Sequence, residues 1–116
     1  MKKILVVDDE EAIRILYREE LESEGYEVAT AANGQEVFAL LDSFAPDLII
    51  LDIQMPEMSG VEVLQQMRSK FRNLPVIISS AYPEYQQNFA TWASDAYVVK
   101  SSNLENLKAT VKKFLQ

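Results

Sequence analysis

The chain has 116 residues, 48% of them hydrophobic, with 11 basic and 18 acidic side chains and a net charge of −7. That length fits one compact domain with a core of useful size, and the composition argues against disorder. With no cysteine and no histidine, disulfides, thiol catalysis, a histidine base and zinc sites built from the usual ligands are excluded, and the negative charge opposes nucleic-acid binding by this domain alone.

Met1-Lys2-Lys3 leads into only four apolar residues, Ile4 to Val7. A signal peptide or membrane span needs a far longer apolar run, so a cytoplasmic protein with no membrane association is expected. Ile4-Leu5-Val6-Val7 reads as a buried strand running into Asp8-Asp9-Glu10. A helix follows, with Ala12, Ile13, Leu16, Tyr17 and Leu21 on one face and Glu19, Glu22 and Glu24 at polar positions. Its acidic face is read as solvated, and Gly25 suits a left-handed cap at its end. Tyr26 to Ala31 alternates like an edge strand. Asn33-Gly34-Gln35-Glu36 makes a turn and helix start, and Val37, Leu40, Leu41 and Phe44 stripe the second helix before Ala45-Pro46 ends it.

Leu48-Ile49-Ile50-Leu51 is a continuous apolar run, the pattern of a strand covered on both faces in a parallel sheet, and it stops at Asp52. The loop after it ends in Ser59-Gly60-Val61-Glu62, a capping box, and Val61, Leu64, Met67 and Phe71 stripe the third helix. Leu74-Pro75 introduces a short strand, Val76-Ile77-Ile78, running into Ser79-Ser80-Ala81. Pro83 suits the first turn of a fourth helix carrying Tyr85, Phe89 and Trp92. Phe89 reads as core; Tyr82 and Tyr85 stand evenly between core packing and a partner surface, and Glu57 and Met58 read as loop surface. Ala96-Tyr97-Val98-Val99 is the last strand and ends at Lys100. Ser102-Asn103-Leu104-Glu105 is a second capping box, and Leu104, Leu107, Val111 and Phe114 stripe the last helix. Five strand-then-helix units with short connections imply an α/β fold, a doubly wound parallel sheet with helices on both faces and a single domain over residues 1–116.

Ligands in such sheets sit outside the carboxyl ends of the strands. The residues just past those ends are Asp8 and Asp9, Asp52, Ser80 and Lys100. An acidic pair at a helix start also suits the helix dipole, Asp commonly terminates a strand, and a lone serine or lysine says nothing. It is their conjunction that is informative. Three converging carboxylates are electrostatically costly without a cation, and a hard divalent ion such as Mg²⁺ takes oxygen ligands. With Lys100 as a second positive charge and Ser80 as a hydrogen-bond donor, such a site suits a dianionic phosphoryl group that a carboxylate can attack.

On Ile4-Leu5-Val6-Val7-Asp8-Asp9-Glu10, Asp52-Ile53-Gln54-Met55-Pro56-Glu57-Met58-Ser59-Gly60, Ser80-Ala81 and Tyr97-Val98-Val99-Lys100, the chain resembles the receiver domain of bacterial two-component response regulators, from Lys3 to Leu115. By analogy with a chemotaxis receiver, the five-stranded sheet has order 2-1-3-4-5 and is flanked by five helices, a flavodoxin-like arrangement. The resemblance implies Asp52 as phosphoacceptor. It implies Mg²⁺ held by Asp9, Asp52 and the backbone carbonyl of Gln54, with Asp8 acting through a metal-bound water. It implies Lys100 bridging to the phosphoryl group, and Ser80 bonding a phosphoryl oxygen while Tyr97 follows inward and alters the surface of the fourth helix, last strand and last helix. Implied partners are a sensor histidine kinase or histidine phosphotransfer protein, docking close to the first helix, and a downstream effector protein or domain. A homodimer through the fourth helix, last strand and last helix is also implied. Such a module catalyses only its own phosphorylation and dephosphorylation.

Two departures from that family stand out. Ser101 follows Lys100 where the family has a proline after a cis peptide; a cis bond before a non-proline residue costs about 3 kcal/mol, so trans is expected. Ala93-Ser94 stand where a glycine is common, and a left-handed residue there would carry strain of about 1–2 kcal/mol. Serine at position 80 replaces the commoner threonine but keeps the hydroxyl. A haloacid-dehalogenase-type phosphatase would need an aspartate where Gln54 stands. A dinucleotide enzyme would need a glycine-rich turn, and the chain has only Gly25, Gly34 and Gly60. Flavin binding would not call for the carboxylates. A further alternative, motivated by Ser101, is a degenerate receiver that binds proteins without phosphorylation. No effector domain follows Gln116, which fits either a stand-alone regulator or a piece of a longer protein.

Overall fold

The computed structural model describes residues 1–52, 60–71, 73–81, 95–100 and 104–115. In chain order the elements are β1 (Lys3–Val7), α1 (Glu11–Ser23), β2 (Glu27–Ala31), α2 (Gly34–Ser43), β3 (Leu48–Leu51), α3 (Gly60–Lys70), β4 (Val76–Ser80), β5 (Ala96–Val99) and α4 (Glu105–Leu115). The five strands form one sheet of order β2-β1-β3-β4-β5, every neighbouring pair parallel, as the receiver resemblance implies. Four helices fall among the described residues. The fourth predicted helix, with Tyr82, Tyr85, Phe89 and Trp92, lies outside them, as do Glu57, Met58, Ala93, Ser94, Gln54, the Ser59 and Ser102 caps and the peptide joining Lys100 to Ser101.

The sheet is covered on both sides, which is why its inner strands lack alternation. Leu5, Val7, Ile49, Leu51, Val76 and Ile78 pack with Val37 and Leu41 of α2 and Val63, Leu64 and Met67 of α3. The intervening residues Ile4, Val6, Leu48, Ile50, Ile77 and Val98 pack with Tyr17 and Leu21 of α1 and Leu107 and Val111 of α4. Every residue of β3 is buried, as are those of β4.

Local signals act where the sequence places them. The Asn33 side chain accepts from the Glu36 amide and caps α2, and Gly25 takes a φ of 97° after α1. Two expectations need correction. β4 runs to Ser80 rather than stopping at Ile78, because Ser79 and Ser80 pair in register with Val98 and Val99 of β5. In α1, Ala12 is exposed and Leu16 is 39% exposed; the contact line is narrower and runs through Ile13, Tyr17 and Leu21, residues spaced four apart on one face.

A feature unseen in the sequence ties the starts of β4 and β5 together, at the ends opposite Ser80 and Lys100. The Arg68 guanidinium donates to the Leu74 carbonyl at 2.6 Å and to Asp95 Oδ2 at 2.6 Å. The same carboxylate oxygen accepts from the Val76 amide at 2.8 Å, and the Asp95 amide donates to the Val76 carbonyl at 2.8 Å. One carboxylate thus ties the end of α3 to the starts of β4 and β5. Asp95→Ala is expected to lower unfolding stability by about 2 kcal/mol, because it strips a backbone amide of its partner; urea denaturation measures it, and a loss below about 0.5 kcal/mol would show the tie to be unimportant. Nothing lies within 4 Å of a Cβ placed on Gly25, so Gly25→Ala is expected to cost only its left-handed backbone strain, about 1 kcal/mol in the same measurement.

Candidate functional site

Register brings the predicted residues to one rim. Val7 lies opposite Leu51 and Leu51 opposite Ile78, so Asp8, Asp52 and Ser79 stand level, one residue further on. Backbone hydrogen bonds extend the sheet past its strands at each of these ends. The Asp8 amide donates to the Ala31 carbonyl at 3.1 Å, the Asp52 amide to the Val7 carbonyl at 2.9 Å, and the Lys100 amide to the Ser80 carbonyl at 2.7 Å. The side chains of the site therefore rise from backbone that is already fixed.

Lys100 joins the acidic residues. Its Nζ lies 2.7 Å from Asp8 Oδ2 and 3.6 Å from Asp52 Oδ2. Asp8 is 2% exposed, Asp52 5% and Ser80 1%. Burial of this kind is tolerated only when charges are paired and hydrogen-bonded. Asp8 meets that condition on both oxygens, since Oδ1 accepts from the Glu10 amide at 2.9 Å. Its carbonyl is held as well, by the Arg14 guanidinium at 2.7 Å. Burial alone would lower the affinity of Lys100 for its proton; the hydrogen bond to Asp8 and the charges of Asp52 and Asp8 outweigh it and hold the ammonium above the ordinary lysine range.

Asp9 and Glu10 are exposed at the mouth of this centre. Among the described residues, the carboxylates of Asp8, Asp9 and Glu10 each bring an oxygen within 4.8 Å of the other two, a hard-oxygen donor set of the kind a small divalent cation takes. Tyr97 is half-buried and packs against the core on the α2 and α3 side of the sheet. Gln54 lies outside the described residues. The structure thus gathers Asp8, Asp52 and Lys100 by direct contact, with Asp9 beside Asp8 and Ser80 buried at the end of the neighbouring strand.

Sequence reasoning missed Glu10 and Arg14. The Asp8-x-Glu10 spacing is that of an aspartate accepting from the amide two residues on, a legible local signal. Arg14 gave none, since its target is a carbonyl whose position depends on how α1 lies on the sheet.

Residues 4–112 match the response regulator receiver domain family. Among curated proteins the chain is 36% identical to sporulation initiation phosphotransferase F of Bacillus subtilis, over 98% of this chain and 94% of that protein. It is 37% identical to the alkaline phosphatase synthesis transcriptional regulatory protein PhoP of the same organism, over 99% of this chain but 49% of that one. Among solved structures it is similar to the response regulator TrrA of Thermotoga maritima in complex with Mg²⁺ and BeF, with a TM-score of 0.93, 50% identity and coverage of 98% and 99% of the two chains. It is also similar, at a TM-score of 0.92 and 50% identity over the full length of both chains, to TrrA in its complex with the histidine kinase ThkA. No helix among the described residues is long and apolar enough to cross a membrane.

The direction of the Lys100 shift fixes its pH behaviour. A proton held more tightly in the folded state stabilises the fold fully at pH values below the unfolded lysine range, and that contribution is lost only as pH rises through the folded-state value. The Lys100 Cε chemical shift is therefore expected to stay flat between about pH 6 and pH 9; a titration step inside that window would contradict the pairing.

Proposed function

This chain belongs to the response regulator receiver domain family of two-component systems, and on that premise we propose that Asp52 accepts a phosphoryl group from a histidine kinase or histidine phosphotransfer protein. The observation that carries the reading is the half-buried Lys100 ammonium set between Asp8 and Asp52, with its charge available at the acceptor. An Asp52 carboxylate oxygen attacks phosphorus, the new P–O bond forms as the donor's P–N bond breaks, and the imidazole leaves with a proton from solvent. Lys100 neutralises negative charge on the transferring group, and the Ser80 hydroxyl donates to one of its oxygens.

The donor chemistry of the mouth fits Mg²⁺. Asp9, Asp52 and the Gln54 carbonyl would hold it, with Asp8 acting through a water; Asp8 already has both carboxylate oxygens engaged, which supports its indirect part. When bound, the ion supplies positive charge against the phosphoryl oxygens. The signal then passes through Ser80 and Tyr97 to the surface formed by the fourth predicted helix, β5 and α4, where an effector or a second copy docks. Phosphorylation is a local change of charge that biases such a surface between two arrangements. Residues 1–116 act as one domain in the cytoplasm, and the only chemistry the module performs is on itself.

With Mg²⁺ and a small phosphodonor, intact mass spectrometry is expected to show one added phosphoryl group, labile to hydroxylamine as an acyl phosphate is, and Asp52→Ala is expected to abolish it. No added mass on the parent chain would overturn the acceptor role and favour a receiver that binds partners without phosphorylation.

A further inference from the structure

Among the described residues, the fully buried cluster on the α1 and α4 side of the sheet is aliphatic apart from Tyr17. Tyr17 of α1, 3% exposed, reaches Ser79 of β4, 1% exposed, and the two hydroxyls lie 3.0 Å apart. An apolar pair of the same shape would fill this space at similar stability, because a buried hydrogen bond contributes little net free energy when both partners can be replaced together. A hydroxyl pair adds direction instead: the bond fixes where the ring tip lies and where the strand carrying the serine sits.

The position of the pair gives that direction a use. Ser79 stands level with Asp52 across the β3–β4 ladder. It precedes Ser80, whose carbonyl holds the Lys100 amide. Burial pushes the Tyr17 hydroxyl above its ordinary value, with the charges of Lys100, Asp8 and Asp52 all reaching it, so it remains a neutral O–H beneath the ionic centre. Arg14, three residues before Tyr17 and hence on the same face of α1, grips the Asp8 carbonyl. Helix α1 is therefore bonded to the ends of both β1 and β4, the two strands that flank β3 and its Asp52.

We propose that the Tyr17–Ser79 hydrogen bond positions the end of β4 for phosphoryl transfer, setting Ser80 and Lys100 relative to Asp52 from the α1 side of the sheet. Tyr17 and Ser79 are positioning residues, since neither is placed against the transferring group. The proposal rests on Asp52 being the acceptor.

The test follows phosphorylation by acetyl phosphate and Mg²⁺ with intact mass spectrometry and, in parallel, urea stability. The variants are Tyr17→Phe, Ser79→Ala, Ser79→Thr and the double variant Tyr17→Phe/Ser79→Val. Each of the first two leaves one buried hydroxyl without its partner and is expected to lower stability and to slow phosphorylation at saturating donor on the order of tenfold, the scale set by small misplacements in a reacting site, with the half-saturating donor concentration unchanged. The double variant, apolar on both sides, is expected to recover parent stability while remaining slow, and Ser79→Thr, which keeps the hydroxyl, to react like the parent. A double variant as fast as the parent would overturn the proposal and reduce the pair to core packing, even if the single variants fail to fold. A parent that gains no phosphoryl group would defeat the acceptor reading itself, and the positioning proposal with it, a result visible before any variant is measured.

Discussion

Everything at the functional rim depends on one ammonium group among carboxylates. Asp8 and Asp52 are almost fully removed from solvent, and two such charges side by side would repel each other strongly in a medium that screens them poorly. Lys100 relieves this by lying against Asp8 and within reach of Asp52. The relief is incomplete by design of the residue set, since Asp9 and Glu10 add further negative charge at the mouth. A centre with more carboxylate than ammonium takes a cation readily, and with the cation bound it takes an anion beside it. That order of charge suits the metal ion and the phosphoryl group that the proposed function calls for.

The sheet makes such a concentration of charge affordable because it builds the rim from backbone that has no freedom left. Asp8, Asp52 and Lys100 each follow a strand of the sheet, and the amide of each is bonded to the neighbouring strand. The conformational entropy of placing the site was therefore lost when the core formed. Helix α1 adds a further restraint through Arg14 and Tyr17, and the Arg68–Asp95 tie restrains β4 and β5 at their opposite ends.

Much of this was legible in the chain because it is written in local rules. The apolar run at Leu48–Leu51 announces a strand covered on both sides, Asn33 and Gly25 announce the limits of helices, and the alternation of strand and helix patterns announces a parallel sheet. Parallel topology then requires Asp8, Asp52 and Lys100 to appear at the same rim, so their meeting followed from connectivity and not from any motif. Where the reading slipped, tertiary pairing had overridden local pattern: the apolar run ends at Ile78, yet the register with β5 holds Ser79 and Ser80 in the strand.

The sequence by itself determined the class of fold, the ends of most elements and which chemical groups would gather, because hydrophobic period, capping residues and chain connectivity are properties of neighbours along the chain. Only the tertiary structure decided that Lys100 lies closer to Asp8 than to Asp52 and that Tyr17 bonds Ser79 across 62 positions. Those are facts of distance and direction between elements, fixed by how helices settle on the sheet, and no spacing along a chain encodes them.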